Sequence, residues 1–361
     1  MSILILGDVA SPDAHCSAQL GQSLERSGIF TPDKAVLANL EGMIANIGTD
    51  TPTPVLFNHP SVLDVLKKFN VKAVSLANNH TLDLPEHLRE TTAALESSGV
   101  AACGAGEDMI AANAPARFEH EGKPVLVFAW CWDILLQHQS NPSGGCQVNE
   151  LHVSKMLQTV REARLREPDS IIILKLHWSF DLETRPFPLY RKLSRALIDA
   201  GADVIAGCHS HCVQGGERYK NGIIVYGLGN FFIPWHTFIN GTIHFPEFAR
   251  DEIALDWDPV TRKATCHWFR YDEAGGAHRL DYLGEEDFDN GSRILEYSPY
   301  RDMDSEEYLD WFSEHRRKRK LMPIYRDPCE TIRNAGIDTY LKARIRFARF
   351  LARTGLRGWN N

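Results

Sequence analysis

The chain reads as an α/β protein. Two observations predict this. Short apolar runs alternate with helix-spaced segments through the first two-thirds of the 361 residues, and polar side chains able to do chemistry recur just past the ends of those runs. In layered α/β proteins the strand ends and the loops after them are where sites are built.

Residues 3–6 form a short apolar run that stops at Gly7-Asp8. The segment 34–40 is a second strand candidate and stops at Glu41-Gly42. Residues 61–69 carry Val62, Val65, Leu66 and Phe69, which is helical spacing. A β-rich run at 72–76 ends at Asn78-Asn79-His80, and 86–97 reads as helix. The runs 125–130 and 171–176 have the unbroken apolar character of buried strands, the second ending at His177-Trp178. An amphipathic helix at 190–200 is closed by Gly201, and a strand at 203–206 leads into Cys208-His209-Ser210-His211-Cys212. Strands are also expected at 223–226 and 252–257, the latter with the period of two of a half-buried strand.

Beyond about Tyr297 the character changes. Residues 306–320 are charged and helix-like, ending in the basic run 315–320, and Pro323 and Pro328 follow. A basic helix is expected at 337–356, with Lys342, Arg346, Arg349, Arg353 and Arg357 on one side and Leu341, Ile345, Ala348 and Ala352 on another. The expected organisation is a domain over 1–296 and a helical basic extension over 297–361.

Apolar content of 43% and charged content of 24% are those of a soluble globular protein. The longest apolar run, about 125–132, falls well short of the ~20 residues that span a bilayer, so no transmembrane segment is expected. The N-terminus lacks a basic region and reads as a first strand, not a signal peptide. Eight scattered cysteines without a CxxC pair indicate reduced, buried thiols and a cytoplasmic location. The net charge of −8 is uneven: residues 311–361 hold 13 Lys+Arg against 4 Asp+Glu, and the remainder 26 against 43. Such an acidic body argues against nucleic acid as a partner. The basic helix could lie on an anionic membrane surface or meet a partner protein, although packing on the acidic body is the plainer expectation.

His209-Ser210-His211 is the strongest chemical element. In an extended segment both imidazoles would face one side, each able to bind one of two adjacent metals. The alternatives are a hydrogen-bonded or surface histidine pair, or a zinc knot on Cys208 and Cys212, for which no second cysteine pair has suitable spacing. Asp8 and Glu41 offer hard oxygen donors, and a bridging carboxylate can hold two ions about 3.5–4 Å apart. Taken singly, such residues more often belong to turns. The carbonyl of Asn79 is a further donor, and His177 completes the set. His80 could act as general acid, with Asp83 three residues on to fix its tautomer. Alone, Asn78-Asn79-His80 would read as a helix cap. An oxygen and imidazole set without thiolate suits Mn²⁺, Zn²⁺ or Fe²⁺.

Six ordered blocks, GDVA (7–10), NLEG (39–42), LANNHTLD (76–83), HWSFD (177–181), GCHSHCVQGGERY (207–219) and YGLGNF (226–231), resemble the CapA-type capsule-synthesis or poly-γ-glutamate-biosynthesis proteins of the calcineurin-like metallophosphoesterase superfamily. The resemblance implies a two-sheet αββα sandwich and two divalent metal ions. It implies that Asp8 and His211 bind the first metal, Glu41 bridges, and Asn79, His177 and His209 bind the second. His80 would be the catalytic acid and Asp83 its orienting partner. Asn78, Trp178, Gln214, Glu217 and Asn230 would support the site or line the substrate pocket. The chain departs from the pattern at Ala10, where the wider superfamily has a histidine ligand, and at Ser179 and Asp181, where Gly and Glu are commoner.

The function expected is a metal-dependent hydrolase acting on a capsule-like anionic polymer such as poly-γ-glutamate. A metal-bound hydroxide would attack, and His80 would protonate the leaving group. The alternatives are a metal-dependent peptide epimerase that abstracts a proton next to a carbonyl, and a non-catalytic assembly factor of a polymer-synthesis complex. The substrate would accordingly be a small molecule, peptide or polymer.

Overall fold

Seven consecutive buried residues form each of the strands Ile3–Val9 and Ile171–His177, as expected of strands covered on both faces. The computed structural model describes residues 1–48, 55–136, 145–238, 241–317 and 322–353. In it these two strands lie in the interiors of two separate sheets.

The first sheet has seven strands in the order Ala277–Asp287, Ala264–Ala274, Asp251–Trp257, Ile3–Val9, Ala35–Leu40, Val71–Ser75 and Ala101–Cys103. Pairing is antiparallel as far as Ile3–Val9 and parallel beyond it. The second has six, in the order Val213–Tyr219, Gly222–Leu228, Val204–Cys208, Ile171–His177, Lys123–Cys131 and Ala116–His120, with the four central strands parallel. Apolar side chains from both sheets share one buried cluster. Lys175, 1% exposed, crosses it to donate from Nζ to the Leu6 carbonyl at 2.6 Å. Helix Ala14–Ser27 packs on the outer strand of the first sheet, and Pro188–Ala200 lies against Val153–Arg166 and the second sheet. This is the expected two-sheet α/β sandwich with helices around it.

Several elements differ from expectation. The hairpin of Ala264–Ala274 and Ala277–Asp287 was not read from the sequence, although Gly275-Gly276, with φ of 61° and 83°, supplies the positive-φ turn a hairpin needs. Asp251–Trp257 is buried along most of its length instead of alternating, because it is an interior strand of a sheet covered on both faces. The segment 86–97 opens as a 3₁₀ turn, Pro85–His87, before the helix Leu88–Ser97. The charged helix is Ser305–His315, started by an Asp304–Glu307 capping box; residues 318–320 of the basic run lie outside the described residues.

The C-terminal helix is Thr331–Arg353, beginning six residues before the expected start. Ile337 and Leu341 are buried in the main cluster, and Lys342 pairs with Asp133 at 2.7 Å. Packing on the body is therefore the arrangement observed there. Residues 354–356 and Arg357 lie outside the described residues, as do the side chains of Arg349, Ala352 and Arg353. Among the described residues no helix is long and apolar enough to cross a membrane. All eight cysteines are free, and only Cys329 is exposed. Burial pushes the Cys103 thiol up to about 12 and the Cys146 thiol up to about 11.

Asp256 tests how firmly the first sheet is tied. Burial alone would raise its carboxyl, but hydrogen bonds from His267 and Lys34 outweigh it and hold the group at about 2. A carboxyl depressed by folding stabilises the protein above its ordinary value of 3.8, and that contribution is lost as pH falls towards about 2. Asp256→Asn is expected to lower the unfolding free energy at neutral pH by roughly 2 kcal/mol. Urea denaturation should show the gap to wild type closing as pH falls through that window.

Candidate metal centre

The parallel strands of both sheets end at one edge of the sandwich. Asp8 sits near the end of Ile3–Val9, where pairing with the next strand shifts register between Ile5 and Asp8. Its Oδ1 accepts from Asn39 Nδ2 at 2.8 Å, and its Oδ2 accepts the backbone N–H of His209 at 3.0 Å, which links the two sheets. Glu41 follows Ala35–Leu40 directly, held by its own N–H on the Val9 carbonyl at 2.8 Å. It is fully buried, and neither carboxylate oxygen has a hydrogen-bond partner. Burial, then the charges of Asp8, Asp181 and Asp83, pushes its carboxyl well above the usual range.

The cap reading of Asn78-Asn79-His80 holds for Asn78, and it serves the site. Asn78 Oδ1 accepts from the N–H groups of Thr81 at 3.0 Å and Gly42 at 3.2 Å, and Nδ2 donates to the Leu40 carbonyl at 2.9 Å. This fixes the turn Asn79–Leu82 against the segment carrying Glu41. Asn79 Oδ1 then lies 2.9 Å from His177 Nε2. His80 Nδ1 donates to Asp83 Oδ2 at 2.7 Å, and that oxygen also accepts the Leu56 N–H at 2.9 Å. With Nδ1 committed, Nε2 of His80 faces Glu41 Oε1 at 3.7 Å.

His177 is the last residue of its strand and is 1% exposed. Its Nε2 lies 3.9 Å from Glu41 Oε1 and its Nδ1 3.9 Å from Asp8 Oδ1. Burial, reinforced by His209, His211 and His80, pushes the imidazole well below its usual range and keeps it neutral. The rings of His177 and His209 are 4.8 Å apart, and those of His209 and His211 5.5 Å apart. All six sequence-predicted donors thus meet at this edge.

His209 and His211 do not lie on the expected extended run. The strand ends at Cys208, and His209 and His211 have φ of 83° and 55°, so the segment is a left-handed turn and not an extended run. Such backbone costs a non-glycine residue of order 1–3 kcal/mol, and this kind of strain clusters at functional sites. His211 Nδ1 is held on Asn230 Oδ1 at 2.7 Å, and burial pushes this imidazole down as well. The thiols beside the histidines are not presented as thiolates: Cys212 Sγ donates to the Glu183 carbonyl at 3.3 Å, and burial raises both the Cys208 and Cys212 thiols.

Among the supporting residues, Asn230 orients His211, and Gln214 donates to Ser179 Oγ at 3.2 Å and to the Glu183 carbonyl at 2.6 Å, bracing the loop after His177. Trp178 is fully buried, stacks on Tyr190 at 4.4 Å and donates to the Tyr226 carbonyl at 2.9 Å, so it offers no surface to a substrate. Glu217 is likewise a core group. It accepts from Arg191 at 3.1 Å, Arg195 at 2.8 Å and Tyr226 at 2.7 Å, binding the helix Pro188–Ala200 to the second sheet. Sequence reasoning passed over Asp181 as a donor. Its Oδ1 lies 3.1 Å from His209 Nε2, and Asp181, His209 and His211 offer ligand atoms all within 4.8 Å of one another. A carboxylate four residues after His177 was the available signal.

The donors fit a divalent cation. A buried carboxylate with both oxygens orphaned, beside imidazoles kept neutral by burial, presents lone pairs that a divalent cation would satisfy.

A family model described as bacterial capsule synthesis protein PGA_cap matches residues 19–234. The chain belongs to that family. The matched span holds Glu41, Asn79, His80, His177, His209 and His211, and Asp8 precedes it. This family member is 27% identical over 170 residues to the capsule biosynthesis protein CapA of Bacillus anthracis, covering 46% of this chain and 41% of that protein. It is 27% identical over 216 residues to a Mycobacterium tuberculosis protein named as a polyglutamine synthesis accessory protein, covering 55% of this chain and 56% of that one. The chain spans about half the length of the curated relatives it matches. The solved NAD nucleotidase of Haemophilus influenzae is similar at 13% identity and a TM-score of 0.41, covering 95% of this chain and 60% of that one.

Glu217 separates architecture from chemistry in this family member. Glu217→Ala would strand two arginines, Arg191 being buried, and is expected to cost about 3–5 kcal/mol in chemical denaturation while leaving bound metal per folded chain unchanged.

Proposed function

We propose that the chain is a divalent-metal-dependent enzyme of hydrolase type that makes or trims a capsule-like anionic polymer such as poly-γ-glutamate. The observation that carries this reading is Glu41: fully buried, without hydrogen-bond partners, and within 4 Å of His80 and His177. Asp8, Glu41, Asn79, His177, His209 and His211 would hold two ions, of the Mn²⁺, Zn²⁺ or Fe²⁺ kind. Bound ions would supply Lewis acidity and a water that is nucleophilic at neutral pH. Asp83 holds His80 by Nδ1, so a proton carried on Nε2 is aimed into the site for a leaving group. Buried free thiols suit a reducing compartment such as the cytoplasm.

A second reading is a non-catalytic accessory factor in polymer synthesis. The name of the Mycobacterium tuberculosis relative favours it, as does Ala10 at a position where a ligand is expected.

Elemental analysis of purified protein is expected to give two metal equivalents in wild type and close to none in Glu41→Ala. A metal-free wild type would sink the enzyme reading. His80→Ala is expected to keep its metal and to slow shortening of poly-γ-glutamate about 10²–10⁴-fold. Unchanged capsule-polymer output with His80→Ala would instead support the accessory role.

A further inference from the structure

We propose that Asp181 is itself a metal ligand, joining His209 and His211 to hold the solvent-side ion in place of the donor missing at position 10. The inference rests on the metal-centre reading above and deepens it.

Position 10 is closed to a ligand. Ala10 is fully buried in a small apolar cluster with Val55, Leu56, Phe57, Ile233 and Phe238. With no donor there, the expected first-metal set is Asp8, His211 and the bridging Glu41, and Asp8 already accepts from Asn39 and from the His209 amide. Glu41 would be shared with the other ion, so only Asp8 and His211 would belong to the first ion alone.

Asp181 supplies a further donor. Its Oδ1 stands 3.1 Å from His209 Nε2, yet that nitrogen makes no hydrogen bond, so the close approach is not aligned as one. Two donor atoms sharing one ion at bond lengths near 2.1 Å stand roughly 3 Å apart, with lone pairs converging instead of facing. His211, whose Nδ1 is committed to Asn230, has Nε2 left as its donor.

The loop is built to hold this carboxylate in place. The Leu182 N–H donates to the Ser210 carbonyl at 2.8 Å, clipping the loop directly to the histidine turn. Gln214 grips Ser179 and Glu183 on either side of Asp181. Ser179 and Leu182 adopt φ of 81° and 58°, so two strained residues bracket Asp181. The side chain of Asp181 is 66% exposed, whereas that of His209 is 5% exposed. A carboxylate at the mouth and two imidazoles behind it make a three-donor site open towards solvent, the arrangement in which a divalent ion keeps a position free for substrate.

The test is Mn²⁺ and Zn²⁺ binding to the metal-stripped full chain by calorimetry and equilibrium dialysis. Wild type is expected to bind two equivalents. Asp181→Asn should bind one with unchanged affinity and the other at least about 100-fold more weakly, since even loss of an outer-shell partner costs about 10–100-fold. Asp181→Glu should restore the second equivalent. Two equivalents of unchanged affinity in Asp181→Asn would overturn the assignment and leave the metal centre standing. A wild type that binds neither ion would overturn both.

Discussion

The buried carboxylate of Glu41 sets the terms for this molecule. Moving an ionised carboxylate from water into a low-dielectric interior is so unfavourable that proteins protonate it, pair it or give it a metal. Glu41 is fully buried with no hydrogen-bond partner, and its charged neighbours include Asp8, Asp181 and Asp83, which add to the penalty. The adjacent His177 is itself kept neutral by burial. Anionic oxygens and neutral ring nitrogens converging on one space are what a divalent cation resolves.

The fold supplies the rigidity such an arrangement needs. Asp8 of the first sheet accepts the backbone N–H of His209 from the second, and Lys175 reaches back to Leu6, so the two halves of the site are fixed to each other. Behind the histidine turn, Gly229 has φ of 91°, and the fully buried carboxylate of Glu252 occupies the space where any Cβ at Gly229 would project. Only glycine fits both conditions. The next residue is Asn230, which orients His211, so a core carboxylate from the strand Asp251–Trp257 helps to place a donor.

Strain and packing are distributed accordingly. Left-handed backbone occurs at Ser179, Leu182, His209 and His211, on two loops joined directly by the Leu182 N–H to the Ser210 carbonyl. The opposing wall is apolar, with Ala10, Phe57, Ile233 and Phe238 packed together and Phe245 against the His211 ring at 4.9 Å. The C-terminal segment contributes at a distance. Tyr300, Tyr308, Phe312 and Tyr325 enter the same buried cluster as the sheets, and Glu217 with its two arginines lies beneath them.

Much of this was legible in the residues. Apolar runs of four to seven residues ending in Asp8, Glu41, Asn79, His177 and His209 located the central strands to within a residue or two at most ends, because burial on both faces demands unbroken apolar sequence. Chain order and chemistry determined the donor types and the pairing of His80 with Asp83, which is local. What depended on tertiary structure was everything set by contacts between distant segments. The sequence could not show that His209 and His211 meet through a left-handed turn, that Trp178 and Glu217 face the core, or that Asp181 approaches His209. Backbone handedness and side-chain direction at a strand end are decided by what packs against it, and those partners lie up to two hundred residues away in the chain.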